Sequence, residues 1–345
     1  MYKSVYKHLK NPMSFLNKIW NPELYHGSNK RGTFFEGWYY KNVSYNGESI
    51  VSIIPGVFKS KDKSKEHAFI QFIDGKSNQT TYFRFDINEF RAFQKPFEVQ
   101  IGDCIFNNRE IFIDIRRDDS LTYGHIKLGD LTPWPVTTFS PGAMGWYGFV
   151  PTMECNHGVL SMNHKIEGKL LVNDKVYILA RGKGYIEKDW GRSFPSAYVW
   201  MQSNHFKHKG ASFMASIARV PWIIGSFKGL LMGFHLNDKL YKFASYTGAK
   251  LEHLEINAEM VNFRVYDSKY VLNVKVKRAA GGLLKAPYEK QMLERVTESL
   301  NSEIELELYK FKGRNSELIF SDVAKYAGLE VTGDVNYLRL PQVHK

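Results

Sequence analysis

Alternating apolar and polar residues dominate this chain, and they predict half-buried antiparallel strands. Ile111, Ile113 and Ile115 point one way while Asp114 and Arg116 point the other. Leu272, Val274 and Val276 oppose Lys275 and Lys277; Ile304, Leu306 and Leu308 oppose Glu303, Glu305 and Glu307. A period of two places each apolar set on one face of a pleated sheet. Turn signals separate such runs at Asn46-Gly47, Asn173-Asp174, Asn237-Asp238, Asp267-Ser268 and Gly313–Asn315, which predicts hairpins. Helical spacing is scarce. Pro287–Leu300 is the best helix candidate, because Met292, Val296 and Leu300 recur every fourth residue. On the order of 16–20 strands are expected, and sheets of that size close into barrels or pack as sandwiches.

The segment Gly129–Gly158 breaks this rhythm with Pro133, Pro135, Pro141 and Pro151. It also carries Trp134, Phe139, Trp146, Tyr147 and Phe149, too apolar for a flexible linker, so it reads as an ordered crossing packed on one or both of two β domains. At roughly 100–200 residues per domain, two domains are the natural division. The boundary is placed near residue 160, giving domains 1–160 and 161–345.

Composition changes the picture modestly. With 43% hydrophobic and 24% charged residues the chain reads as globular, not disordered. The net charge of +12 favours anionic partners, but the basic residues are dispersed and no RNA-binding motif appears, so nucleic acid is not an expected partner. Cys104 and Cys155 match no metal or redox spacing, which fits free thiols in a reducing, cytoplasmic setting. Met1–Lys30 has no signal-peptide-like apolar run, and no stretch is long and apolar enough for a membrane-spanning helix. The greasiest stretch, Trp222–Gly233, reads first as a core strand pair and second as a membrane-touching loop.

Three segments concentrate candidate chemistry. In Phe34–Tyr40 (FFEGWYY), strand parity puts Phe34, Glu36, Trp38 and Tyr40 on one face. A carboxyl buried among aromatics has a raised pKa and becomes a candidate general acid. The alternatives are a surface glutamate beside a buried tryptophan, or a glutamate paired with an arginine. In Gly145–His164, Glu154, Asn156, His157, Asn163 and His164 cluster among apolar residues without the compact spacing of a zinc site, so polar contacts to a ligand are favoured over a metal. In Glu187–Phe206, Glu187 and Asp189 share a face with Trp190 opposite, and Arg192 is placed to neutralise Asp189. Beyond the turn, Tyr198, Trp200, Gln202 and Asn204 share a strand face. Aromatics beside amides make a pocket wall, because ordinary cores avoid unsatisfied amides.

These segments, taken as NPELYHG with FFEGWYY (Asn21–Tyr40), FVPTMECNHGVLSMNH (Phe149–His164) and EKDWGRSFPSAYVWMQSN (Glu187–Asn204), resemble the tocopherol cyclase-like family. Weaker echoes occur at Leu283–Met292 and Gly328–Asp334. No transit-like leader is read, so the resemblance is to a bacterial-type member. It implies an architecture similar to carotenoid 1,2-hydratases: all-β, two lipocalin-like antiparallel β-barrel or sandwich domains with few short helices. It also implies cyclisation, or hydration, of a prenylated quinol or other isoprenoid lipid, without a cofactor or metal. An alkene is protonated, and a phenol oxygen or water captures the cation. Such chemistry needs a neutral acid in a dry pocket and π faces around the cation. Glu36 or Asp189 is the expected acid, with Glu154 and His157 as alternates. Trp38, Tyr40, Asn156, Trp190, Tyr198, Trp200, Gln202 and Asn204 are the expected substrate contacts. The alternative is a non-catalytic lipid-binding or carrier protein on the same scaffold. Peripheral contact with an anionic membrane is compatible with either.

Overall fold

The structure, a computed structural model, describes residues 17–117, 120–313 and 315–339. Its strands fall into two antiparallel sheets, of twelve and ten strands. The first holds β1 (Phe34–Val43), β2 (Ile50–Lys59), β3 (His67–Asp74), β4 (Thr80–Phe85), β5 (Phe90–Gln94), β6 (Phe97–Ile101), β7 (Cys104–Asn107), β8 (Glu110–Arg117), β9 (Ser120–Leu128), β10 (Cys155–Val172), β11 (Lys175–Ile178) and β12 (Gly182–Gly191). The second holds β13 (Tyr198–Ser203), β14 (Ser212–Pro221), β15 (Ser226–Leu236), β16 (Lys239–Ala244), β17 (Lys250–Ile256), β18 (Met260–Tyr266), β19 (Tyr270–Lys277), β20 (Gly282–Tyr288), β21 (Gln291–Lys312) and β22 (Asn315–Thr332). The all-β expectation, with short helices only, therefore holds.

The predicted alternation appears directly as burial. Ile111, Ile113 and Ile115, and likewise Ile304, Leu306 and Leu308, are buried, while Arg116 and Glu305 are exposed. The predicted turns form between paired strands. Gly47, Asn173, Asn237 and Asp238 adopt the positive φ that tight hairpins require. Pro287–Leu300 is not a helix. Tyr288 pairs with Gln291 around Glu289 and Lys290, at φ 45° and 69°, in the β20–β21 hairpin. Four is a multiple of two, so a four-residue apolar spacing marks one face of a strand as well as one face of a helix.

Each sheet curls around its own core. In the first, Phe83 and Phe85 of β4 meet Phe97 and Val99 of β6 in one apolar cluster. In the second, Phe243 of β16 and Ile256 of β17 share a cluster. A third cluster, including Tyr39, Tyr185, Tyr198, Trp200, Leu284 and Val296, lies between the sheets. The sheets divide between Gly191 and Tyr198. Residue 160, the expected boundary, lies inside β10, because the chain returns to the first sheet after the Pro-rich crossing. That crossing is ordered and touches both sheets. The Thr132 amide donates to Asn163 O at 3.0 Å, and Tyr246 Oη donates to Ala143 O at 2.9 Å. Trp134 is buried over Gly233, where a Cβ would come within 2.2 Å of the indole. Trp222–Gly233 proves to be mainly strand β15, but its leading residues form the exposed β14–β15 turn.

Candidate active site

The pleat of β1 and β12 turns their odd-numbered side chains toward the second sheet and their even-numbered ones into the first core. Tyr39 stands opposite Glu187, and Gly37 opposite Asp189. On the next strand, His157 pairs with Asp189. From the other side, Trp200 pairs with Glu330, which pairs in turn with Glu298. Between the two sheets all of these residues but Glu298 line a cavity of about 190 Å³, whose lining also includes Phe35, Ile54, Leu284 and Val296. Gly328 makes room for its largest ring, since a Cβ there would lie 2.8 Å from Trp200 Cζ3.

Three carboxyls stand at or beside this space, Glu187 and Glu298 buried and Glu330 half-buried, and each accepts a hydrogen bond from a tyrosine. Tyr185 Oη donates to Glu187 Oε2 at 2.6 Å, Tyr198 Oη to Glu330 Oε2 at 2.6 Å, and Tyr39 Oη to Glu298 Oε1. Trp200 Nε1 adds a second donor to Glu187 Oε2 at 3.1 Å. Desolvation raises Glu187 to about 7 and Glu298 to about 8. It raises Glu330 as well, with the Glu298 charge adding to the effect. Burial alone would lower the His157 pKa, but Asp189 and Glu187 outweigh it and raise the imidazole to about 9. Asp189 Oδ1 accepts from His157 Nδ1 at 2.9 Å, and His157 Nε2 lies 3.5 Å from Glu187 Oε2.

The expected residues divide into two groups. Glu154, His157, Asp189, Tyr198 and Trp200 line the cavity. Glu154 is half-buried, and desolvation raises its pKa against the pull of Arg192. Glu36, Trp38, Tyr40 and Trp190 face the other way. The Glu36 carboxylate accepts from the His26 and Gly27 amides at 2.9–3.0 Å and pairs with Lys188 Nζ. Desolvation opposes its charge, but Lys188 and His26 together hold its pKa below the ordinary value, so it is no acid at neutral pH. Burial lowers Lys188 to about 8, and its ammonium stays charged between the rings of Trp38 and Trp190, at 4.8 and 4.7 Å. The π face expected to meet a substrate cation meets a lysine instead. Tyr40 is buried in the first core near Phe106, and Asn156 Nδ2 donates to Trp190 O at 3.4 Å. The two amides join the sheets away from the cavity. Gln202 Oε1 accepts from Lys41 Nζ at 3.0 Å, and Asn204 Nδ2 donates to Gly184 O at 2.8 Å.

Tyr39, Glu187, Glu298 and Glu330 were not among the expected site residues. Glu187 had a legible signal, since it shares a strand face with Asp189. Glu298 and Glu330 had almost none: each is one of several acids on a long strand, and nothing local marks it out from the others. The spacing argument against a metal also misses what pairing does. His157, Glu187 and Asp189, on neighbouring strands, offer ligand atoms within 4.8 Å of one another, close enough to hold a metal ion.

A family model described as tocopherol cyclase-like matches residues 125–333. The "Probable tocopherol cyclase, chloroplastic" of Oryza sativa subsp. japonica is 22% identical over 211 residues, covering 57% of this chain and 44% of that protein, so the match spans less than half of the rice protein. Among solved structures, CghA superposes with a TM-score of 0.54 at 7% identity, covering 87% of this chain and 88% of that one. CghA with Sch210972 gives a TM-score of 0.52 at 8% identity, covering 87% and 89%. The likeness to CghA is one of fold. The family model spans more than half of the chain, and the chain belongs to the tocopherol cyclase-like family.

Proposed function

We propose that this chain is an enzyme that protonates an alkene of a prenylated quinol or similar isoprenoid lipid and lets the phenol oxygen close a ring, with Glu187 as the acid. One observation carries the reading: a fully enclosed carboxyl, held near pKa 7, lies on the wall of a largely apolar cavity. A general acid works best when its pKa lies near the working pH. When Glu187 gives up its proton, Tyr185 and Trp200 already donate to the oxygen that gains charge, and the His157 imidazolium stands beside it. Asp189 orients that imidazole. The tertiary cation forms against the rings of Tyr39, Tyr198 and Trp200, where π faces stabilise it. The phenol oxygen then bonds to the cationic carbon and its proton returns to Glu187, so the reaction is an isomerisation.

Family membership supports the reaction class, and the cavity supports the substrate class. A cavity of about 150 Å³ admits a benzene ring. About 190 Å³ therefore holds a substituted ring and the first carbons of its tail. Incubation with prenylated hydroquinones of several tail lengths, with chromatography for the chromanol, tests the reading. Turnover by the wild type, with binding but no product in Glu187→Gln, is expected. Binding without turnover by the wild type at every tail length defeats it and leaves the carrier function.

A further inference from the structure

The turn between β14 and β15 carries Trp222, Ile223, Ile224 and Gly225. Ile223 is 87% exposed and Ile224 93% exposed. Tight turns ordinarily use Gly, Asn, Asp or Pro, and two isoleucines held in water there add nothing to a core. The tip is not an isolated greasy spot. The Trp222 ring lies 5.8 Å from Tyr147 and 5.6 Å from Phe227, and both of those residues line the cavity. The Trp146 ring lies 4.1 Å from that of Tyr147, tilted by 33°, and is itself exposed. Further along the crossing segment, Phe149 packs on Trp20, whose indole N–H donates to Thr138 O beside the 85%-exposed Phe139. Exposed apolar groups thus run from the hairpin tip around the side of the cavity where the lining residues Arg219 and Pro221 reach the surface. Behind the tip, Arg219 and Lys228 stand opposite each other in the β14–β15 register, on a chain of net charge +12.

We propose that this face docks on an anionic lipid bilayer, with Ile223 and Ile224 inserted among the acyl chains. Aliphatic groups at the tip, aromatics around them and cations behind them match the layers of a leaflet: acyl chains, interface and anionic headgroups. The cavity supplies the reason for such docking. It holds a ring but not a long tail, so the tail leaves through the mouth into an apolar medium. The substrate is drawn in ring end first while its tail remains in the leaflet. The source of the substrate rests on the cyclase reading; the docking itself does not.

Co-sedimentation with vesicles of mixed phosphatidylcholine and phosphatidylglycerol tests this, using the full chain and the double variant Ile223→Ser, Ile224→Ser. The wild type binds, and the variant partitions on the order of tenfold less while its unfolding midpoint is unchanged. Equal vesicle binding by variant and wild type, or none by the wild type, overturns the proposal. So does a dimer that the two substitutions dissolve with vesicle binding unaltered, since the face would then be a contact between copies. A second arm separates the two readings. If the cyclase reading holds, the variant keeps its turnover of a short-tailed, water-dispersed hydroquinone and loses turnover of a long-tailed one embedded in vesicles. Vesicle binding through the tip with no turnover of either substrate sinks the cyclase reading alone.

Discussion

Glu36 and Glu187 stand back to back across the β1–β12 pair, both buried, and burial has opposite outcomes for them. On the barrel side Glu36 meets an ammonium and two backbone amides, and it is held as a carboxylate. On the cavity side Glu187 meets a phenol, an indole and an imidazolium shared with Asp189, and its pKa rises to about 7. Desolvation is the largest influence on both. What differs is whether the opposite charge is offset: Lys188 and His26 answer Glu36, whereas the charge of Asp189 works against that of His157 at Glu187. An enclosed carboxyl is therefore a candidate acid only when the opposite charge beside it is shared or offset.

The largest effect that could break this contrast is on stability. Lys188→Met leaves Glu36 buried without its cation and is expected to destabilise the fold by about 3–5 kcal/mol in urea unfolding. The double variant with Glu36→Gln should regain most of that. A single variant as stable as the wild type would show that the barrel-side pair is not what holds the charge. Glu187→Gln is the counterpart. It should lower turnover on the order of 10²–10⁴-fold, yet change stability below about pH 6 by less than about 1 kcal/mol, because there a protonated carboxyl is replaced by a neutral amide. A stability loss rivalling that of Lys188→Met would mean that Glu187 is also an ion-pair partner. Trp200→Phe sharpens the contrast more gently. It keeps a π face but removes a donor that favours ionised Glu187, so the turnover–pH profile should move upward, with rates within about tenfold. An unmoved profile would remove Glu187 from the rate-governing ionisation.

The pH dependence of stability should separate the two faces. Folding raises Glu187 from 4.5 to about 7 and His157 from 6.5 to about 9. Groups with raised folded pKa values contribute stability that is complete at low pH and lost as pH rises through those values. The stability difference between the wild type and Glu187→Gln should therefore shift against the wild type between about pH 4.5 and pH 7. Glu36, whose pKa is lowered, acts in the other window: its contribution is present above 4.5 and lost as pH falls through its folded value. A difference that moves in the wild type's favour toward alkaline pH would contradict the cavity-side assignment. The smallest change is expected from Glu154→Gln. That residue is half-buried beside exposed Arg192, and its loss should alter turnover by less than about tenfold.

Strand parity carried the sequence reading a long way and then stopped at a definite point. It grouped Glu36 with Trp38, and Tyr198 with Trp200, as the structure does. Parity says which side chains travel together, but not which face of the strand meets the other sheet. Both faces of β1 are buried and aromatic, so nothing local told the Glu36 face from the Tyr39 face. The place where the two sheets divide was hidden for a similar reason. A Pro-rich segment marks an interruption in pairing, and only long-range hydrogen bonds show that β10 rejoins the first sheet beyond it. Glu298 and Glu330 become site residues solely through docking of β21 and β22 against the first sheet, a contact with no signature in either strand.

The hydrogen bond from Tyr39 to Glu298 joins residues 259 positions apart, and Trp200 reaches from one sheet to Glu187 in the other. A chain still emerging from the ribosome has made Glu187 long before Glu298 or Glu330 exists. Throughout that interval the carboxyl stands in water with the acidity of any surface glutamate. The raised pKa of Glu187 comes into being only when the seam between the sheets closes, so a half-made or half-unfolded copy lacks the acid on which the proposed reaction depends.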